Sequence, residues 1–279
     1  MGACDGDGFF KPASEFWQVH REMVLLLAGG RALLMQLAHP KVAAGVDEHS
    51  SFQQSPFDRL RRTMSAIWSV VFAQRDQARS ALEKLDNVHA KVRGAVPSDE
   101  PSFAGMPYDA MDQELLLWVH ATLIDSAMIA YDLFVAPMTA PVRNAYYDDS
   151  KKLAALFGVE KESVPPSLAE FEMYMNRMIA GDTIVVGPTA RRLAHDVLYA
   201  RPWIFKIGPL FRLVTAGLLP ETLRDGYGLG WSAERGKMLT TFAKAVRTVR
   251  PFVPAPIRVV PNARAAENAN RPSHVSSAP

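Results

Sequence analysis

The run DQELLLWVHATLIDSAMIAYDLFV, residues 112–135, constrains this chain more than any other stretch. It is apolar on most sides of a helix, yet Thr122, Asp125 and Ser126 interrupt it. A helix apolar on most sides has to be covered by other elements, and polar groups inside it need partners there. The stretch predicts a buried central helix of a globular domain, with Asp112 as its N-cap. No run approaches eighteen uninterrupted apolar residues, so no membrane-spanning helix is expected.

The flanking segments share the helical period. Residues 15–27, 31–38, 56–73, 75–93, 139–157, 167–181, 188–200 and 232–249 are predicted helical, with a further turn from Pro40 towards Val46. Ser167 with Glu170 forms a capping box, Ser232 caps the last helix, and Gly94 and Gly158 act as stops. Residues 95–109 are rich in Pro, Ser and Gly and read as a loop; 184–187 and 258–260 are the short strand candidates, too little for a sheet. The segment 202–219, PWIFKIGPLFRLVTAGLL, carries only Lys206 and Arg212 as charges. A helical hairpin packed on the core is its first reading, and a helix in peripheral contact with a membrane or an apolar substrate is the second. The expected fold is all-α, a single helical domain over 15–250. It lies between a flexible N-terminus, 1–14, and a Pro-rich tail, 251–279, expected to be extended and then disordered.

Composition removes several function classes. With 48% apolar and 22% charged residues the chain can build a sizeable core, and 31 basic against 29 acidic residues lack the basic excess of a nucleic-acid binder. One cysteine, Cys4, excludes a disulfide framework, a cysteine zinc site and a Cys-x-x-Cys-His haem attachment. The first residues show no secretory pattern, so a cytoplasmic location is expected. No P-loop, dinucleotide fingerprint, nucleophile elbow, His-Glu-x-x-His or paired Glu-x-x-His motif is present.

Seven histidines remain. His195 and His274 read as surface residues, His20 has no evident partner, and His39 orders the turn before Pro40. His49 sits in a polar turn, and His120 reads as a core imidazole bonded to a carbonyl or to Asp125. His89 shares an apolar stripe with Ala78, Leu82, Leu85 and Val92. On the preceding helix, capped by Ser55 with Pro56 in its first turn, Arg59, Arg62 and Thr63 share a face. An imidazole beside two arginines and a hydroxyl suits a haem, an apolar disc with two carboxylates whose iron takes a neutral imidazole. By spacing alone, a structural histidine beside solvated arginines is the stronger reading.

The runs GGRALLMQLAHPKVAAGVDEHSSF, SPFDRLRRT, NVHAKVRG and LLLWVHATLIDSAMIAYDLF, in that order, resemble a known catalytic domain. It is the one shared by rubber oxygenase (latex clearing protein) and the fungal mycophenolic-acid-pathway oxygenase, and the resemblance spans residues 16–202. It implies a b-type haem (iron) in a globin-like helical core, and oxidation of apolar substrates with dioxygen. It implies His89 as the iron ligand and Arg59 and Thr63 as the polar pair beside the haem. It places Arg62, with Arg59 and Thr63, among the catalytic positions. Rubber oxygenases carry a lysine at the position of Arg62, able to cap the iron; arginine stays protonated and is a poor ligand, which leaves the distal site open or water-filled. Glu48 is the nearest counterpart of the family's catalytic glutamate. Without an export signal, a small isoprenoid- or lipid-like substrate is expected rather than polyisoprene. Two other readings stay open: a haem carrier, sensor or peroxidase, and a helical interaction module without cofactor.

Overall fold

The computed structural model describes residues 8–49, 56–100, 103–199 and 204–269, and within 56–63 and 204–207 the backbone course alone. The chain begins with α1 (Glu15–His20), a 3-10 helix (Met23–Ala28), α2 (Gly29–Leu37) and α3 (Pro40–His49). Next come α4 (Pro56–Phe72), α5 (Arg75–His89) and a hairpin of β1 (Arg93–Ala95) with β2 (Pro107–Asp109). Then follow α6 (Gln113–Phe134), α7 (Ala140–Leu156), α8 (Leu168–Ala180), α9 (Pro188–Tyr199), α10 (Ile204–Leu218) and α11 (Glu221–Gly226). The described chain ends with α12 (Ala233–Val249), a 3-10 turn (Arg250–Phe252), α13 (Ala255–Arg258) and α14 (Pro261–Ala269). The all-α class is observed, with β1 and β2 as a minor antiparallel pair.

The expected central helix is α6. The Asp112 carboxylate accepts the Glu114 N–H at 2.9 Å, as a cap should. Trp118 is wholly buried, and its indole N–H donates to the Met35 carbonyl on α2 at 3.1 Å. The polar interruptions of α6 are all taken up by α2. Gln36 donates to Thr122 at 3.2 Å, and the Arg31 guanidinium donates to Ser126 at 2.6 Å, to Asp125 at 2.6 Å and to the Leu218 carbonyl at 2.7 Å. By length and composition α6 could cross a membrane, yet 67% of its most apolar window is buried inside the protein. Helix α10 presses onto α2 at Gly30, where a Cβ would lie 2.1 Å from the Thr215 hydroxyl oxygen. Within the apolar 202–219 segment, α10 therefore does pack on the core, as one helix with Pro209 inside it and not as a hairpin.

The caps Ser167 with Glu170 and Ser232 form as expected. Other expectations are corrected. The helix expected over 15–27 breaks at Arg21 and Glu22, because Glu22 is extended and buried, with its carboxylate held by Arg250 at 2.5 and 2.9 Å. The loop expected over 95–109 forms the β1–β2 hairpin, in which Arg93 pairs with Asp109. Residues 184–187 form no strand, and 258–260 contribute only a bridge from Val259 to Glu22. The tail expected to be extended or disordered from Pro251 is helical and docked through Ala269. Val259, Val260 and Ala263 are buried, and Glu267 accepts from Arg21 at 2.7 and 2.8 Å and from the Trp17 indole at 3.1 Å. Within the N-terminus expected to be flexible, Phe10 is buried and stacks on Phe16 with centroids 4.9 Å apart. Ser55, Cys4 and His274 lie outside the described residues.

Candidate functional site

Helices α4 and α5 are joined through Ala73 and Gln74 alone and pack along one another, so they run antiparallel. Arg59 stands fourteen positions before Ala73 and His89 fifteen after Gln74, so the two lie at similar distances along their helices from the junction. The side chains of Arg59, Arg62 and Thr63 lie outside the described residues. His89 is described: it is the last residue of α5 and half-buried. This corrects the expected helix end at 93 and the expected core-facing imidazole. Ala78 and Leu82 are buried on the α5 stripe, but towards the C-terminus Leu85 and His89 are only partly covered.

The chain leaving α5 forms a second wall. The β1–β2 hairpin packs on α3, whose end carries Asp47, Glu48 and His49. Each of these is engaged. Arg192 on α9 holds Asp47 with two hydrogen bonds at 2.7 and 2.8 Å, and this raises the Arg192 pKa. The Tyr108 hydroxyl donates to Glu48, and burial together with that carboxylate pushes the phenol above its usual range. His49 bonds the Arg93 carbonyl through Nε2 at 3.0 Å. Gly94 is confined between the same partners: a Cβ there would sit 2.5 Å from both Glu48 Oε2 and the Tyr108 hydroxyl. Glu48 itself keeps 57% of its side chain exposed, so one carboxylate oxygen is bound to Tyr108 on a residue open to solvent.

The remaining described histidines are structural or superficial. His20 is buried and bonds the Tyr146 hydroxyl at 3.1 Å; burial and then the neighbouring His120 lower its pKa to about 3. Burial lowers His120 to about 4. The expected pairing of His120 with Asp125 does not form, since Asp125 is taken by Arg31, and His120 Nδ1 has no hydrogen-bond partner among the described residues. His39 accepts the Lys41 N–H at 3.3 Å, as a turn-ordering residue should, and burial lowers it to about 4. The His195 side chain is 72% exposed.

Tyr108 and the buried Arg31–Asp125 pair were not singled out by motif. For the pair a signal exists in the sequence: a charge inside the apolar run GGRALLMQL and another inside the most apolar helix each require an opposite partner. For Tyr108 there is none, because it reaches Glu48 from 60 residues away.

Residues 17–250 match the family model described as ER-bound oxygenase mpaB/B'/Rubber oxygenase, catalytic domain. Two relatives are Uncharacterized protein Mb2261 of Mycobacterium bovis and Uncharacterized protein Rv2237 of Mycobacterium tuberculosis. Each is 25% identical over 229 residues, covering 80% of this chain and 87% of the relative. No solved structure matches. With most of its length matched, and with a helical frame, the chain belongs to the mpaB and rubber oxygenase catalytic-domain family.

Proposed function

We propose that this protein is a b-type haem-dependent oxygenase acting with dioxygen on a small apolar, isoprenoid- or lipid-like substrate. One observation supports the reading: positions 59, 62 and 63 on α4 and His89 at the end of α5 lie on two packed helices joined by two residues, in a member of an oxygenase family. The donor set fits a haem. Among the described residues no three His, Cys, Asp or Glu side chains gather as a bare-ion site, whereas a haem iron asks the protein for only one or two axial ligands. His89 would supply that ligand, as a neutral imidazole.

A bound haem would supply dioxygen binding and the oxidising equivalents. The protein's own groups do the rest. Arg59 would hold a propionate with its guanidinium fork, and the Thr63 hydroxyl would orient water or dioxygen beside it. Arg62 keeps its proton and contributes positive charge rather than a nitrogen ligand. The carboxylate of Glu48, one oxygen of which Tyr108 holds, would accept a substrate proton.

Arg62 also favours a second reading, a haem carrier, sensor or peroxidase without oxygenase activity. Oxygen uptake with unsaturated apolar substrates separates the two, since a carrier consumes none. The first test is spectroscopic. Protein produced with ample haem precursor should purify with a Soret band. His89→Ala should lose it, and His195→Ala, at an exposed position, should keep it. A colourless parent protein, or haem retention unchanged in His89→Ala, refutes the haem reading.

A further inference from the structure

The 3-10 helix Met23–Ala28 and the C-terminal half of α12 form the two walls of a cavity of about 520 Å³, closed at one end by the Arg250–Phe252 turn and α13. That volume lies within the roughly 300–1,000 Å³ of small-molecule sites. The walls are aliphatic, including Leu27, Val246, Val249 and Ile257, and the charged lining residues are Glu22, Arg250 and Arg258. Glu22 and Arg250 satisfy one another through two hydrogen bonds. Arg258 does not share in this. Its Nε is buried without a hydrogen-bond partner, and no carboxylate pairs with its guanidinium among the described residues. An unpaired cation with a buried donor is costly unless an anion completes it. Val249 and Ile257, at 56% and 67% exposure, leave apolar surface in water along the same groove.

We propose that this groove binds a long-chain carboxylate, with the alkyl chain along the aliphatic walls and the carboxylate on Arg258. Charge decides the head group. The lining carries two arginines against one glutamate, so the uncompensated charge is positive, and a guanidinium recognises a planar carboxylate through two parallel hydrogen bonds. The groove shares no lining residue with α3, α5 or the β1–β2 hairpin, so it stands apart from the proposed haem site and does not depend on it.

The test is a titration of delipidated protein with dodecanoate, followed by calorimetry, with 1-dodecanol and decanoate as comparisons. Dodecanoate should bind one molecule per chain. Dodecanol, which lacks the charge, should bind at least tenfold more weakly. Decanoate, two methylenes shorter, should lose about tenfold. Arg258→Gln should weaken dodecanoate at least tenfold while leaving dodecanol unchanged. Ala245→Trp, at an exposed groove residue, should fill the space and abolish binding of both. Equal affinity for acid and alcohol in the parent protein overturns the proposal. So does full dodecanoate binding by folded Arg258→Gln or Ala245→Trp, or binding to phosphatidylglycerol vesicles without binding of free dodecanoate.

Discussion

The helix pair α2–α6 and the helix pair α4–α5 both carry arginine and histidine, and they treat them in opposite ways. Between α2 and α6, Arg31 is buried and spends three donors on Asp125, Ser126 and the Leu218 carbonyl, while His120 on α6 is held neutral by burial. At the end of α5, His89 is half-buried at a helix terminus. The first pair is closed in its charges, which answer one another. The second has its histidine where a cofactor can reach it.

The comparison can be broken most forcefully at Arg31. Arg31→Met strands Asp125 and should cost about 3–5 kcal/mol in urea unfolding. Adding Asp125→Leu should recover much of that loss. If the single substitution costs under about 1 kcal/mol, the α2–α6 pair is not closed in the sense described.

Acid probes the buried histidines, His120 on α6 and His20 on α1, more gently. His20 and His120 titrate near 6.5 when unfolded, but stay neutral in the fold down to about 3 and about 4. Above pH 6.5 neither state binds the proton and the contribution is nil. Below it the unfolded chain takes up protons that the fold refuses. Stability should fall as the pH drops from 6.5 towards 4, by about 1.4 kcal/mol per unit for each histidine. His120→Leu should remove one share, about 2 kcal/mol at pH 5 relative to pH 7.5. An unchanged pH dependence in that variant assigns the effect elsewhere.

The smallest effect is expected at the other pair. Compared in haem-free protein, His89→Ala should change stability by less than about 1 kcal/mol, because a half-buried side chain at a helix end leaves little cavity. A loss of several kcal/mol would make His89 a core residue and erase the contrast between the pairs.

What the sequence made legible was local. The Asp112 cap, the Ser167–Glu170 box and the Ser232 cap depend on residues within one turn, and each forms where its pattern stands. The period of α4 and α5 was legible too, and His89 was placed on the correct helix, although α5 has no side-chain cap and ends at His89, four residues before the expected end. What failed was set from a distance. The break at Glu22 is imposed by Arg250, 228 residues away. Strands of three residues are too short to show alternation, so the β1–β2 hairpin hid within a loop-like composition. That hairpin takes over at Arg93, and α5 accordingly ends at His89, which sets the exposure of the imidazole. The tail looked disordered by composition, but Val259, Val260 and Ala263 find cover on the core.

The clasp between α1 and the last helices has a consequence for how the chain reaches its fold. Trp17 and Arg21 are satisfied by Glu267, and Glu22 by Arg250. During synthesis the first helix leaves the ribosome with its partners still unmade, and loop closure over more than two hundred residues comes late and slowly. Until Arg250 and Glu267 emerge, Glu22 has no countercharge and cannot be buried, so the start of the chain waits in water for its far end.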